Sequence, residues 1–196
     1  MPEAIVELQH RTPFELLVAT ILSAQCTDER VNSVTPALFA KYPGPQELAK
    51  AKPTELETLI RPTGFFRSKA KSLIQCSQAL VQQFKGSVPK TMEEFTSLPG
   101  IGRKTANVIL GACFHKPAII VDTHVKRVAN RLQLTASADP TTIEHDLQAL
   151  LPQKDWTDGS QRILLHGRYV CVARKPKCGS CVIYDDCPWE GKLPRS

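Results

Sequence analysis

Residues 98–110, LPGIGRKTANVIL, tie the chain to one local geometry. Pro99 cannot continue a helix, and Gly100 and Gly102 free the backbone on either side of Ile101, so the run is a sharp turn. Upstream, Thr91-Met92-Glu93-Glu94 sets a hydroxyl at an N-cap and a carboxylate three residues on, which opens a short helix. Downstream, Arg103 to Phe114 carries Ala106, Ile109, Leu110 and Cys113 on one face and reads as a second helix. A glycine turn that runs into a helix start presents free N–H groups to a phosphate, and Gly100, Gly102 and Arg103 are the candidate contacts. The same pattern serves a plain helix–turn–helix connection with no ligand, and the residues leave both readings open. A Walker loop is excluded, because Arg103 stands where that loop needs its lysine.

Helical signals recur on both sides. Thr12-Pro13-Phe14-Glu15 combines a capping threonine, a proline at the first helical position and a glutamate at the third. Phe14, Leu17, Val18, Ile21 and Leu22 continue it as an apolar stripe, broken by Ser23-Ala24-Gln25-Cys26-Thr27. Asp28 is the expected cap of a helix with Val31, Val34 and Leu38 inward; Pro43-Gly44-Pro45 is a turn; Thr54 to Ile60 and Ser68 to Phe84 are helices. After Lys116-Pro117 come an apolar connector, Ala118 to Val121, and a helix opened by Asp122 with Val125, Val128, Ala129 and Leu132 inward. Thr141-Thr142-Ile143-Glu144 is read as another capping box before Leu147, Leu150 and Leu151, and Gln161 to Cys171 as the last long helix. No segment alternates with period two, so the fold class is all-α, with Pro117 the best candidate boundary.

The net charge of +6 over 196 residues suits a polyanionic partner, although a solvated basic surface has the same balance. No apolar run approaches the roughly 18 residues of a membrane helix, and the N-terminus lacks the features of a secretory signal. Seven cysteines are an odd number for a disulfide framework, and the reading is a reduced, intracellular, soluble protein. Cys171, Cys178, Cys181 and Cys187 form C-x6-C-x2-C-x5-C, a four-thiolate set for zinc or a [4Fe–4S] cluster, and spacing does not separate the two. Arg174, Lys175 and Lys177 make the first spacer a basic loop pinned at both ends, fit for a phosphate.

Lys104 is either a solvated cation or a nucleophile; the second role needs the neutral amine, which burial and nearby positive charge both favour. Asp122, eighteen residues on, is a good N-cap and also a carboxylate held rigidly enough for catalysis. His124 contacts DNA or lies on the helix surface.

Taken together, PFELLVATILSAQCTD, GFFRSKA, LPGIGRKTANVIL, VDTHVKRV and LHGRYVCVARKPKCGSC, in this order, closely resemble the endonuclease III family through nearly the whole chain. The resemblance implies a bifunctional DNA glycosylase and abasic-site lyase that removes oxidised pyrimidines from duplex DNA. It also implies two helical domains flanking a DNA-binding cleft: 6–116 with a helix-hairpin-helix near 92–111, and 117–196 with 1–5 around a [4Fe–4S] cluster. By position, Lys104 matches the family's nucleophile, Asp122 its catalytic aspartate, and the four C-terminal cysteines its cluster ligands. Gln25 matches the residue that fills the gap left by an extruded base, and Phe65 a wedge in the opposite strand. The implied partner is double-stranded DNA with damaged bases or abasic sites, bound by a monomer in the cytoplasm, at the nucleoid. The family usually has a longer N-terminal segment than this chain, and Thr63 and Phe65 differ from members that carry aliphatic residues at those positions. Two other readings are a monofunctional glycosylase, whose members generally lack a lysine at position 104, and a non-catalytic DNA-binding module with a zinc-bound cysteine knot.

Overall fold

Helix starts along this chain are written in short polar side chains, and the folded chain uses most of them. The computed structural model describes residues 8–195, which hold ten α-helices, three single-turn 3-10 segments and no strand. They fall into two units, one ending at His115 and the other beginning at Lys116. The expected part of residues 1–5 in the second domain lies outside the described residues.

The first unit contains α1 (Pro13–Leu22), α2 (Asp28–Lys41), α3 (Pro45–Ala49), α4 (Pro53–Ile60), α5 (Phe66–Phe84), α6 (Met92–Thr96) and α7 (Arg103–Phe114). The Thr12 hydroxyl accepts from the Glu15 N–H at 3.1 Å and so caps α1. Leu16, Leu17, Val18, Ala19 and Leu22 are all buried, so α1 is apolar around most of its girth and packs against α2, α5 and α7. Leu38, Leu56, Leu73, Leu80, Phe95 and Ile109 complete the core around it.

Two readings of this unit need correction. The cap of α2 is Thr27, whose hydroxyl accepts from the Arg30 N–H at 3.4 Å, while Asp28 is the first helical residue. Pro45 opens the five-residue α3 instead of ending a turn, because a proline at the first helical position forfeits no hydrogen bond.

The second unit contains α8 (Thr123–Arg131), α9 (Pro140–Leu150) and α10 (Trp156–Tyr169) around Ile119, Val121, Val125, Ala129, Ile143 and Leu147. Here Asp139, not Thr141, caps its helix, accepting from the Thr142 N–H at 2.8 Å; Glu144 is buried and Leu150 exposed. Helix α10 starts five residues before Gln161 and ends before Cys171. It lies close against α8 at Gly167, where an added Cβ would stand 3.0 Å from His124 Cβ and Val128 Cγ2. That approach fixes the end of α10, from which the cysteine-bearing segment departs. No helix among the described residues is long and apolar enough to cross a membrane.

Candidate functional site

The hairpin is anchored by its apolar tip. Leu98 and Ile101 are buried, and the Ile101 N–H donates to the Leu98 carbonyl at 3.2 Å, closing the turn. Gly100 sits at φ +77°, a conformation that a side chain would strain. Gly102 is the N-cap of α7 and offers no side chain to the first-turn N–H groups, which leaves them for an anion. Lys104 lies in that first turn and is exposed. The burial that a neutral amine at this position would call for is therefore not found in the free chain. Arg103 beside it is half-buried.

Two exposed side chains of the same unit stand on left-handed backbone. Gln25 follows α1 at φ 53°, and Phe65 precedes α5 at φ 46°. Phe65 is 66% exposed, a large apolar ring held out into solvent where burial would be worth about 2 kcal/mol.

Asp122 belongs to the second unit. Its Oδ1 accepts from the N–H groups of both His124 and Val125 at 2.8 Å, which fixes the carboxylate at the start of α8 and leaves Oδ2 without a partner among the described residues. His124 is half-buried, with Nδ1 3.3 Å from Arg127 Nη2. The same guanidinium donates to the Gly167 carbonyl at 2.7 Å and, through Nε, to the Cys171 carbonyl at 3.1 Å. Arg127 thus caps α10 and steers the chain into the cysteine segment.

Cys171, Cys178, Cys181 and Cys187 line one cavity with His166, Pro176, Tyr184 and Trp189. Among the described residues no three metal-binding side chains converge at the spacing of a single ion. Cations hold the rim. Arg131 Nη1 donates to Cys171 Sγ at 3.2 Å and to the Val172 carbonyl at 2.9 Å, and its guanidinium lies 3.9 Å from the centre of the Trp189 ring. Lys192 Nζ donates to the carbonyls of Tyr184 and Cys187 at 3.2 and 2.9 Å. Four thiols, with N–H donors aimed at a sulfur and at the carbonyls around them, are a donor set that fits an iron–sulfur cluster. The spacer between Cys171 and Cys178 is closed at its base by Lys177 N–H donating to the Val170 carbonyl at 2.9 Å, and Arg174, Lys175 and Lys177 project from it exposed.

The structure thus brings the four cysteines to one cavity, and places Lys104, Gln25 and Phe65 on one unit and Asp122 on the other. Sequence reasoning missed Arg127, Arg131, Trp189 and Lys192. The spacing of the two arginines, four apart on α8 and in register with His124, was the available signal.

A helical chain with a glycine hairpin that leads into a helix start, and with a four-cysteine loop, defines a helix-hairpin-helix protein with the donor set of an iron–sulfur centre. Residues 18–153 match the model of the HhH-GPD superfamily of base excision DNA repair proteins, and residues 171–187 that of the iron-sulfur binding domain of endonuclease III. The chain is 54% identical to endonuclease III of Synechocystis sp. over 95% of its length and 86% of that protein's. It is 43% identical to endonuclease III of Haemophilus influenzae over 98% of its length and 91% of that protein's. A trapped endonuclease III–DNA covalent intermediate, an estranged-adenine complex, superposes with a TM-score of 0.89 at 43% identity, covering 95% of this chain and 88% of that one. The chain belongs to the endonuclease III family. It is a bifunctional base-excision-repair glycosylase and abasic-site lyase, its partner is DNA, and its cofactor is a [4Fe–4S] cluster. The match to the iron–sulfur model resolves the choice that cysteine spacing left open.

Proposed function

We propose that this chain removes oxidised pyrimidines from duplex DNA and cleaves the resulting abasic strand, with Lys104 as nucleophile and Asp122 as the catalytic carboxylate. The observation that carries the reading is the exposed Lys104 amine in the first turn of α7, beside N–H groups that no side chain caps. A base inside a duplex is out of reach, so the damaged nucleotide is first turned out, at a cost of a few kcal/mol that a poorly stacked lesion reduces. Gln25 fills the gap and Phe65 wedges the opposite strand, while the hairpin N–H groups, Arg103, His124, Arg174, Lys175 and Lys177 hold phosphates.

Lys104 Nζ, once neutral, attacks C1′, the C1′–N bond breaks, and the base leaves with the electron pair. Asp122 Oδ1 stays committed to its cap, so Oδ2 is the oxygen that stabilises positive charge on the sugar and takes the proton from the lysine. The nitrogen lone pair then opens the C1′–O4′ bond, with the proton on Asp122 passed to O4′, and the protonated imine so formed acidifies the 2′ proton; its removal expels the 3′ phosphate by β-elimination and breaks the strand. We assign residues 6–116 to the hairpin domain and 117–196 to the cluster domain. Cys171, Cys178, Cys181 and Cys187 are the cluster's ligands, and when bound the cluster supplies a rigid crosslink among four thiolates. The enzyme works as a monomer on nucleoid DNA.

Borohydride trapping on a duplex with one abasic site tests the chemistry. A covalent adduct is expected with the native chain, and none with Lys104→Gln, which still binds the duplex. Strand cleavage by Lys104→Gln within about tenfold of native, against the 10²–10⁴-fold that a lost catalytic group typically costs, overturns the assignment.

A further inference from the structure

Lys69 is a buried lysine on α5 that the chemistry above leaves unused. It is 5% exposed, and Nζ donates to the Leu22 carbonyl at 2.8 Å and to the Thr63 carbonyl at 2.7 Å. No carboxylate faces it among the described residues; burial pulls its pKa below the usual lysine range, opposed by the nearby Cys26 thiol. An ammonium held by two neutral carbonyls is costly, and a methionine would fill the same space without a charge. What the ammonium adds is a link between segments distant in sequence.

Leu22 ends α1, so its carbonyl is one that the helix leaves unpaired. Thr63 ends the 3-10 turn after α4, where its hydroxyl also donates to the Ile60 carbonyl at 2.8 Å. Gln25 lies three residues beyond the first carbonyl and Phe65 two beyond the second. Both hold left-handed backbone, which non-glycine residues keep only when their surroundings over-determine it.

We propose that Lys69 is a positioning residue whose ammonium joins the Gln25 loop to the Phe65 turn, so that the two side chains enter the duplex as one rigid fork. The proposal rests on the reading that Gln25 and Phe65 enter DNA at the lesion. Single-stranded DNA with an abasic site offers no stack to open, so cleaving it needs the lysine chemistry without the fork.

The test compares cleavage of duplex and single-stranded abasic oligonucleotides, with 2-aminopurine beside the site to report unstacking. In Lys69→Met the duplex rate is expected to fall on the order of 100-fold, with weaker 2-aminopurine fluorescence and a single-strand rate within about twofold of native. Adding Phe65→Ala to Lys69→Met is expected to cost little more, because an untethered wedge already fails. Equal losses on the two substrates, or full additivity with Phe65→Ala, overturn the proposal. The insertion reading fails separately, and the fork with it, if Gln25→Ala and Phe65→Ala in the otherwise native chain leave duplex cleavage and fluorescence unchanged. Should Lys69→Met not fold, Lys69→Gln, whose shorter amide reaches one carbonyl, takes its place. The duplex-to-single-strand ratio, independent of the folded fraction, then decides.

Discussion

Cys76 sits on the inner face of α5, 2% exposed, and burial pushes its thiol from 9.0 up to about 12. The folded chain therefore keeps a proton that the unfolded chain releases as the pH passes the ordinary thiol value. Stability from this group is complete at neutral pH and falls as pH rises between about 9 and about 12, by up to about 1.4 kcal/mol per pH unit. Thermal midpoints of the native chain are expected to drop more steeply between those limits than those of Cys76→Ala; parallel profiles would sink the assignment. Lys69 carries the opposite sign. Its lowered pKa is a penalty at neutral pH, relieved as pH rises toward 10.5. Of these two groups the sequence reveals one. Cys76 falls on the periodic face that includes Leu73 and Leu80. Lys69, in the run Arg67-Ser68-Lys69-Ala70-Lys71, reads as a solvated face, because the carbonyls that hold it include one 47 residues away.

Among the elements, α8 organises the cysteine segment from a distance. Asp122 caps its start, Arg127 in its middle caps α10, and Arg131 at its end reaches Cys171 Sγ and stacks on Trp189. A guanidinium donating to the Cys171 sulfur, a cluster ligand on the proposed assignment, withdraws charge from it, and the stacked indole shields the contact from water. Replacing Arg131 by Met keeps much of the stem packing and removes the donor. The expected result is loss of iron–sulfur absorbance in mild oxidant 10- to 100-fold faster than native, with iron content checked by direct assay. Unchanged bleaching would show that Arg131 only packs. Elements opened by a threonine cap and a glutamate three residues on, such as α1 and α6, were legible in the sequence. Helix α9 was legible in its existence but not its start. Two threonines followed by a glutamate imitate a capping box, yet Glu144 is drawn into the core and Asp139 supplies the cap.

At the scale of the whole molecule, the described residues hold two cores of unequal size. Unit 8–115 buries a continuous set from Leu8 to Leu110 that includes Phe14, Phe95, eleven leucines and three isoleucines. Residues 116–195 rest on Ile119, Val121, Val125, Ala129, Ile143 and Leu147, and past α10 the backbone is irregular but for one 3-10 turn, Cys178–Ser180. A unit of about 80 residues with so small a core sits where folds commonly need a metal or disulfide staple. The all-α class followed from helical spacing everywhere and period-two alternation nowhere, but periodicity does not say which helices share a core. That depends on long-range contacts such as α1 with α7 and α8 with α10, which no local pattern encodes. If the bound cluster is the staple of the smaller unit, its loss has to be felt unevenly. In full-length Cys181→Ser, amide exchange over 116–195 is expected to accelerate by several orders of magnitude. Protection in α1, α5 and α7 should persist, because their contacts lie within the larger core. Uniform acceleration through both units would show one cooperative fold, whereas no change in 116–195 would show that the small core suffices without the cluster.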